Sequence, residues 1–300
     1  MRDARLLNYG HLHFIVFIWG FTAVLGALIS IDSIPLVWWR MGIATVLIFI
    51  YMLVRKIPFQ LTGTGAMSRK RLWMICAAGM IIALHWITFF GAIKASNVSV
   101  TLAMMSTGAF FTSMLEPLFT PKKFVWYELL FGLLIIGALY YIFQVETQYI
   151  TGMLLGLTSA LLSAIFSIMN VQFAREHPPS MISFYELLSG VLLLSLFFIF
   201  LPVEFVGPSE LSSDDWLWLG ILASVCTAYA FIASVKVMKY LSAYTVMLTT
   251  NLEPVYGILL AFFILGDAEQ MTPEFYIGAV VILLVIITNG IIKTRFRSRI

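Results

Sequence analysis

The stretch Met181-Ile-Ser-Phe-Tyr-Glu-Leu-Leu-Ser-Gly-Val-Leu-Leu-Leu-Ser-Leu-Phe-Phe-Ile-Phe-Leu201 carries one charged side chain, Glu186, in 21 residues. Wound as an α-helix it is about 30 Å long, the thickness of a bilayer's hydrocarbon core. A soluble helix of that length keeps a charged face toward water. This one has none to offer.

Similar runs recur along the 300-residue chain, at roughly 12–29, 36–54, 72–93, 98–119, 124–143, 150–173, 181–201, 216–235, 242–264 and 275–292. A buried helix of a soluble protein can imitate one such run, but not ten in series. Composition agrees: 61% of residues are hydrophobic, 11% are charged and the mean hydropathy is +0.98, against about 25% charged in soluble chains. The surplus apolar surface needs lipid as its solvent. Disorder, collagen and disulfide scaffolds are excluded on the same ground. Near-continuous Leu, Ile and Gly runs lack the alternation of barrel strands. Cys76 and Cys226 both lie in apolar runs and read as small core residues, with no metal site implied. The net charge of +3 comes from short separated clusters, so nucleic acid is not an expected partner. The first run, followed by further runs and no clear cleavage pattern, reads as a span rather than a signal peptide.

Basic residues set the orientation. With the N-terminus cytoplasmic, sixteen of the eighteen fall inside: Arg2, Arg5, Arg55, Lys56, Arg69–Arg71, Lys122, Lys123, Arg175, Lys236, Lys239, Lys293, Arg295, Arg297 and Arg299. Asp32, Glu146, Glu204, Glu210, Asp214, Asp215, Asp267 and Glu269 fall outside, with Lys94. A wrong span count would flip later loops and scramble this split. Ten spans with both termini in the cytoplasm are therefore expected, placing the chain in the cytoplasmic membrane.

Ten divides into five and five, and an odd set reverses the orientation of its repeat. Val98-Ser-Val-Thr-Leu-Ala-Met-Met-Ser-Thr107 resembles Leu241-Ser-Ala-Tyr-Thr-Val-Met-Leu-Thr-Thr250 at an offset of 143 residues. Val37-Trp-Trp-Arg40 parallels Ser183-Phe-Tyr-Glu186 in position. The expected fold is an all-α integral membrane protein of ten transmembrane helices in two inverted five-helix repeats, 1–145 and 146–300. Such duplications go with alternating access and a site between the repeats.

Charged residues inside spans normally face protein or a watery cavity. Glu253 stands out, mid-span in Thr249-Thr-Asn-Leu-Glu-Pro254. Pro254 removes a backbone donor and loosens the helix there. A carboxylate beside such a turn suits a coupling proton or cation, or a substrate ammonium; a structural carboxylate is the bland reading. Arg40 and Glu186 fall near opposite membrane faces. They either snorkel or line opposite mouths of one pathway, and this topology does not pair them. His85 beside Trp86 can relay a proton or simply bond a neighbouring helix. Lys94 marks an outer turn. Trp19, Trp86, Tyr185, Tyr244 and Tyr256 lie deep enough to line a cavity, while Trp38, Trp39, Trp216 and Trp218 fit an interfacial belt. Gly152-x-x-x-Gly156 reads as packing within the monomer. No phosphate loop, zinc-ligand pattern or nucleophile elbow occurs, so no cofactor or metal is expected.

With Phe17-Ile-Trp-Gly-Phe21, Arg40, Gly91-Ala-Ile-Lys-Ala-Ser-Asn-Val-Ser99, Leu241-Ser-Ala-Tyr244 and Asn251-Leu-Glu-Pro-Val255 running on to Gly266-Asp267, the chain resembles the EamA-type branch of the drug/metabolite transporter superfamily over nearly its whole length. The resemblance implies a secondary transporter with two five-helix repeats, often an exporter of amino acids, other metabolites or drugs. It also implies a central cavity lined by spans 1, 3, 4, 6, 8 and 9. At matching positions this gives Trp19, His85, Trp86, Met104, Asn170, Tyr229, Asn251 and Glu253 as lining residues, with Arg40, Glu186, Tyr185 and Lys94 at pathway mouths. The chain departs from the family pattern at Phe111, where proline is common, at Lys122-Lys123, and in Glu253 itself. The expected partners are a small-molecule substrate, protons and membrane lipids, for a monomer or weak homodimer. A membrane enzyme acting on a lipid or isoprenoid is the alternative; it would need clustered acidic or histidine residues at one interface, and the mid-span candidates stand apart.

Overall fold

The computed structural model describes residues 2–60, 67–119, 126–241, 243–250, 252–266 and 270–297, and all regular structure among them is helical. The helices are α1 (Arg2–Leu28), α2 (Ser33–Val54), α3 (Arg69–Ala95), α4 (Val98–Met105), α5 (Gly108–Phe119), α6 (Trp126–Val145), α7 (Ile150–Glu176), α8 (Pro179–Phe200), α9 (Ser213–Ala223), α10 (Ala230–Val237), α11 (Ala243–Thr250), α12 (Glu253–Leu265) and α13 (Pro273–Arg297). A π-helical turn, Ser224–Tyr229, joins α9 to α10.

Among the described residues, each of the ten apolar runs is helical apart from short breaks in the fourth and ninth. Seven helices are long and apolar enough to cross a membrane, counting Val98–Phe119 and Ser213–Val237 as single spans; Leu130–Gln144, Glu253–Leu265 and Pro273–Val285 are shorter apolar helices. The fourth run breaks at Ser106 and Thr107, whose hydroxyls bond back to the carbonyls of Ala103 and Met104 at 2.5 and 2.7 Å. Side chains that capture nearby carbonyls in this way compete with helix continuation. The ninth run breaks before Glu253, and Pro254 then sits in the first turn of α12, where its missing N–H costs nothing.

Caps fix the short turns. Asn97 Oδ1 accepts from the Val100 N–H at 2.8 Å, so α4 restarts two residues after α3 ends. Ser212 and Asp215 form a capping box on α9. The same Asp215 carboxylate accepts from the Ser30 N–H at 2.7 Å and its hydroxyl at 2.8 Å, tying the end of α1 to α9. Lys94 Nζ donates to the Ile29 carbonyl beside them.

α3 is the hub, packed against α7, α8 and α2, while α1 lies along α12. Two glycines show how close the contacts are. A Cβ at Gly79 would stand 2.1 Å from the Glu186 carbonyl, and one at Gly156 2.8 Å from Met104 Cβ. The Gly152/Gly156 spacing thus packs α7 on the α3–α4 corner within the chain. α6 and α13 form a second apolar cluster with Met104 and Met153. Leu133, Ile136 and Tyr140 of α6, Leu192, Leu196 and Ile199 of α8, and Phe262 and Phe263 of α12 are exposed. Large apolar side chains exposed along three helices suit lipid.

Candidate functional site

One cavity, about 700 Å³ of atom-free space including its mouth, lies among α1, α2, α3, α4, α7, α10, α11 and α12. Its wall is aromatic on several sides: Trp19, Trp86, Phe89, Phe166 and Phe231. Its polar groups are Thr22, Arg40, His85, Ser163, Ser167, Asn170, Ser234, Thr250 and Glu253.

Arg40 is built in most firmly. It is 1% exposed, its Nε donates to Thr227 Oγ1 at 2.6 Å, and its guanidinium lies over the Trp86 ring, 3.9 Å from the centroid. Phe90 stands 5.4 Å away on the same side. Thr227 passes its own hydroxyl to the Leu222 carbonyl five residues back, at 2.7 Å, within the π turn. That turn opens the backbone of this span and turns Thr227 inward; π turns often mark functional positions. Arg40 Nη1 is buried without a hydrogen-bond partner among the described residues. Glu253 lines the same cavity at 8% exposure. No ion pair joins it to Arg40 among the described residues, but both side chains line the same space.

His85 is held by α7. Its Nδ1 lies 2.9 Å from the Ser159 carbonyl, which can only accept, so the bonding network assigns the ring proton to Nδ1. The Ser159 hydroxyl returns a bond to the His85 carbonyl at 2.9 Å. Asn170 faces the cavity and directs Nδ2 toward Glu186 Oε2 at 3.5 Å.

A protein whose apolar exterior calls for lipid thus encloses a half-polar chamber between helices from both parts of its sequence, and that is how carriers are built. The sequence comparison decides the family: the EamA-like transporter family model matches residues 11–144 and again residues 150–290. The chain belongs to the EamA-like transporter family. A relative from Archaeoglobus fulgidus, described as an uncharacterized transporter, is 25% identical over 228 residues, covering 76% of this chain and 78% of that one. A solved structure described as "Crystal structure of protein" superposes with a TM-score of 0.67 over 95% of this chain and 97% of its own, at 14% identity; that likeness speaks for the fold alone. An EamA-like protein of this composition is a multi-pass membrane protein whose partners are a small molecule and lipid.

Within the EamA-like frame, Trp19, His85, Trp86, Asn170 and Glu253 line the cavity. Met104 does not. It is fully buried against Gly156, and its neighbour Met105 takes the lining position. Tyr229 is 46% exposed and bonds His11 Nε2 at 3.0 Å in a lateral groove with Tyr51 and Lys236. Asn251 lies outside the described residues. The four positions expected at pathway mouths differ from one another. Arg40 belongs to the cavity wall rather than a mouth, and Glu186 is fully buried between α8, α3 and α7 rather than snorkelling. Tyr185 anchors the segment after α2 through its hydroxyl to the Phe59 carbonyl at 2.9 Å, and Lys94 clamps helix ends. Pro254 sits in the first turn of α12, directly after the break in the ninth run.

Two features escaped the sequence reading. Thr227 carried no signal of its own, because a π turn has no sequence signature here. Ser163 and Ser167 did carry one: with Asn170 they recur at i, i+4 and i+7, a polar stripe on an otherwise apolar helix.

Proposed function

We propose that the chain is a secondary transporter that exports a small organic solute, such as an amino acid, another metabolite or a drug-like compound, by alternating access across the cytoplasmic membrane. The observation carrying this reading is the cavity, in which a buried cation, a buried carboxylate and several polar side chains line one space between aromatic walls. Such a site suits a solute with an apolar body and polar ends: Arg40 meets an anionic group, Glu253 a cationic one, and the aromatic rings the remainder.

In this reading ten spans form two inverted five-helix repeats, 1–145 and 146–300, with both termini cytoplasmic. The double match to one family model supports it. So do the paired helix lengths, 27 residues each in α1 and α7, 22 each in α2 and α8, and 8 each in α4 and α11. The cavity is complete within one chain, so a monomer suffices.

A thermal-stability screen of purified protein against amino acids, nucleosides, polyamines and dyes tests the site. One class should stabilise the wild type, and Glu253→Gln should weaken that response. Proteoliposomes should then move the labelled compound. Turnover of lipid without solute flux would instead identify an enzyme. A tag on either terminus reached from outside the cell would overturn the topology.

A further inference from the structure

We infer that Glu186, rather than Glu253, is the site of the proton whose movement drives this carrier. The inference rests on the transporter reading above and assigns its coupling ion a place.

Both carboxylates are buried, but their surroundings differ. Glu253 shares its space with Arg40. Glu186 has no exposed surface and no cation facing it among the described residues. Every element packed on α8 bears this out. On α2, Arg40 turns to Thr227 and Trp86. On α10, Lys236 lines the lateral groove. α3 presents the neutral thiol of Cys76, and its first turn holds Arg71, which pairs with Glu176 at 2.6 Å. α7 presents Asn170, while its exposed Arg175 sits in the last turn. On α8 itself the nearest titratable neighbour is Tyr185, whose hydroxyl is committed to Phe59.

Among the described residues a carboxylate in that setting has one donor, Asn170 Nδ2 at 3.5 Å, the outer limit of a hydrogen bond, and its Oε1 has none. An ionised group so placed is heavily penalised, and binding a proton is the ordinary remedy. Two further buried oxygens without partners, Asn170 Oδ1 and Ser183 Oγ, belong to residues beside it. Ser183 lies one turn before Glu186 on the same helix.

Asn170 belongs to both places, as a wall residue of the solute cavity and as a donor to Glu186. When Glu186 releases its proton to water on one side, the carboxylate left behind draws the Asn170 amide toward α8. When it regains a proton from the other side, the amide is free to serve the solute. Proton and solute thereby compete for one side chain, which is a coupling free energy in structural form.

Infrared difference spectroscopy on the protein in liposomes reads the proton directly. The difference spectrum between wild type and Glu186→Gln should contain the carbonyl stretch of a protonated carboxylic acid, and that band should persist in the Glu253→Gln background. Asn170→Ala should shift its frequency, because the hydrogen-bond partner is gone, and this variant decides the matter if Glu186→Gln does not assemble. Labelled phenylalanine, which has an aromatic body and both charges, serves as the flux probe. An imposed pH gradient should accelerate its movement in wild type, and Glu186→Gln should lose that acceleration. No protonated-acid band in the difference between wild type and Glu186→Gln, flux indifferent to the pH gradient, or flux following a sodium gradient overturns the proton site and leaves the carrier standing. If no screened solute moves at all, the carrier reading fails, and the infrared band alone settles whether Glu186 holds a proton.

Discussion

Arg40 and Glu186 occupy the same station in two helices of equal length: each is the eighth residue of 22, in α2 and α8 respectively. Both are buried to within 1% of their surface. Around Arg40 the protein supplies a hydroxyl at 2.6 Å, an indole face at 3.9 Å and a carboxylate across the cavity. Around Glu186 it supplies a single amide at 3.5 Å. The contrast teaches that burying a charge has two solutions. One is to surround it, as at Arg40. The other is to let it cease to be a charge, as proposed for Glu186.

The strongest way to break the comparison is Arg40→Ala. It opens space beside Trp86 and takes the donor from Thr227 Oγ1, so a loss of about 2–5 kcal/mol is expected in denaturation of the purified protein. Gly79→Val comes next. Its side chain would meet the Glu186 carbonyl and Ser189 Oγ, and overpacking of that kind costs about 1–3 kcal/mol, read as a lowered melting temperature. Glu186→Gln sharpens the comparison through its mildness: if the native group is already neutral, an amide of the same shape should change stability by less than about 1 kcal/mol. The smallest effect concerns His177, outside the spans. Burial holds its imidazole below the ordinary value of 6.5, with Arg71 pushing the same way and Glu176 opposing. The unfolded chain therefore binds the proton more readily, and stability should fall slightly as pH drops through 6.5. His177→Gln should flatten that slope in a pH series of melting curves.

Much of the fold was legible because lipid imposes a simple code. Charge-free runs of helical length have few other uses, and Met181–Leu201 contains nearly all of α8. The site was legible where a residue is unusual in its own span: Glu253, His85 and Trp86 announce themselves. Depth was harder. Whether Arg40 snorkels or stays in depends on Thr227, 187 residues away. Met104 and Met105 differ by one residue, about 100° of helix rotation, which is enough to exchange cavity for core. Tyr229 was misplaced for a related reason. It closes the π turn, where the ordinary 3.6-residue count no longer predicts the inward face.

That extra residue between Ser224 and Tyr229 also works as a phase marker for everything after it. Removing one residue there would restore a regular helix and rotate α10 by about 100°. Phe231, Ser234 and Met238, which all line the cavity, would swing away together, and Lys236 would leave the lateral groove. The span would keep its length, apolarity and place in the bilayer, so insertion would look normal while a whole wall of the chamber changed identity. A single-residue deletion thus separates being a membrane protein from being this one.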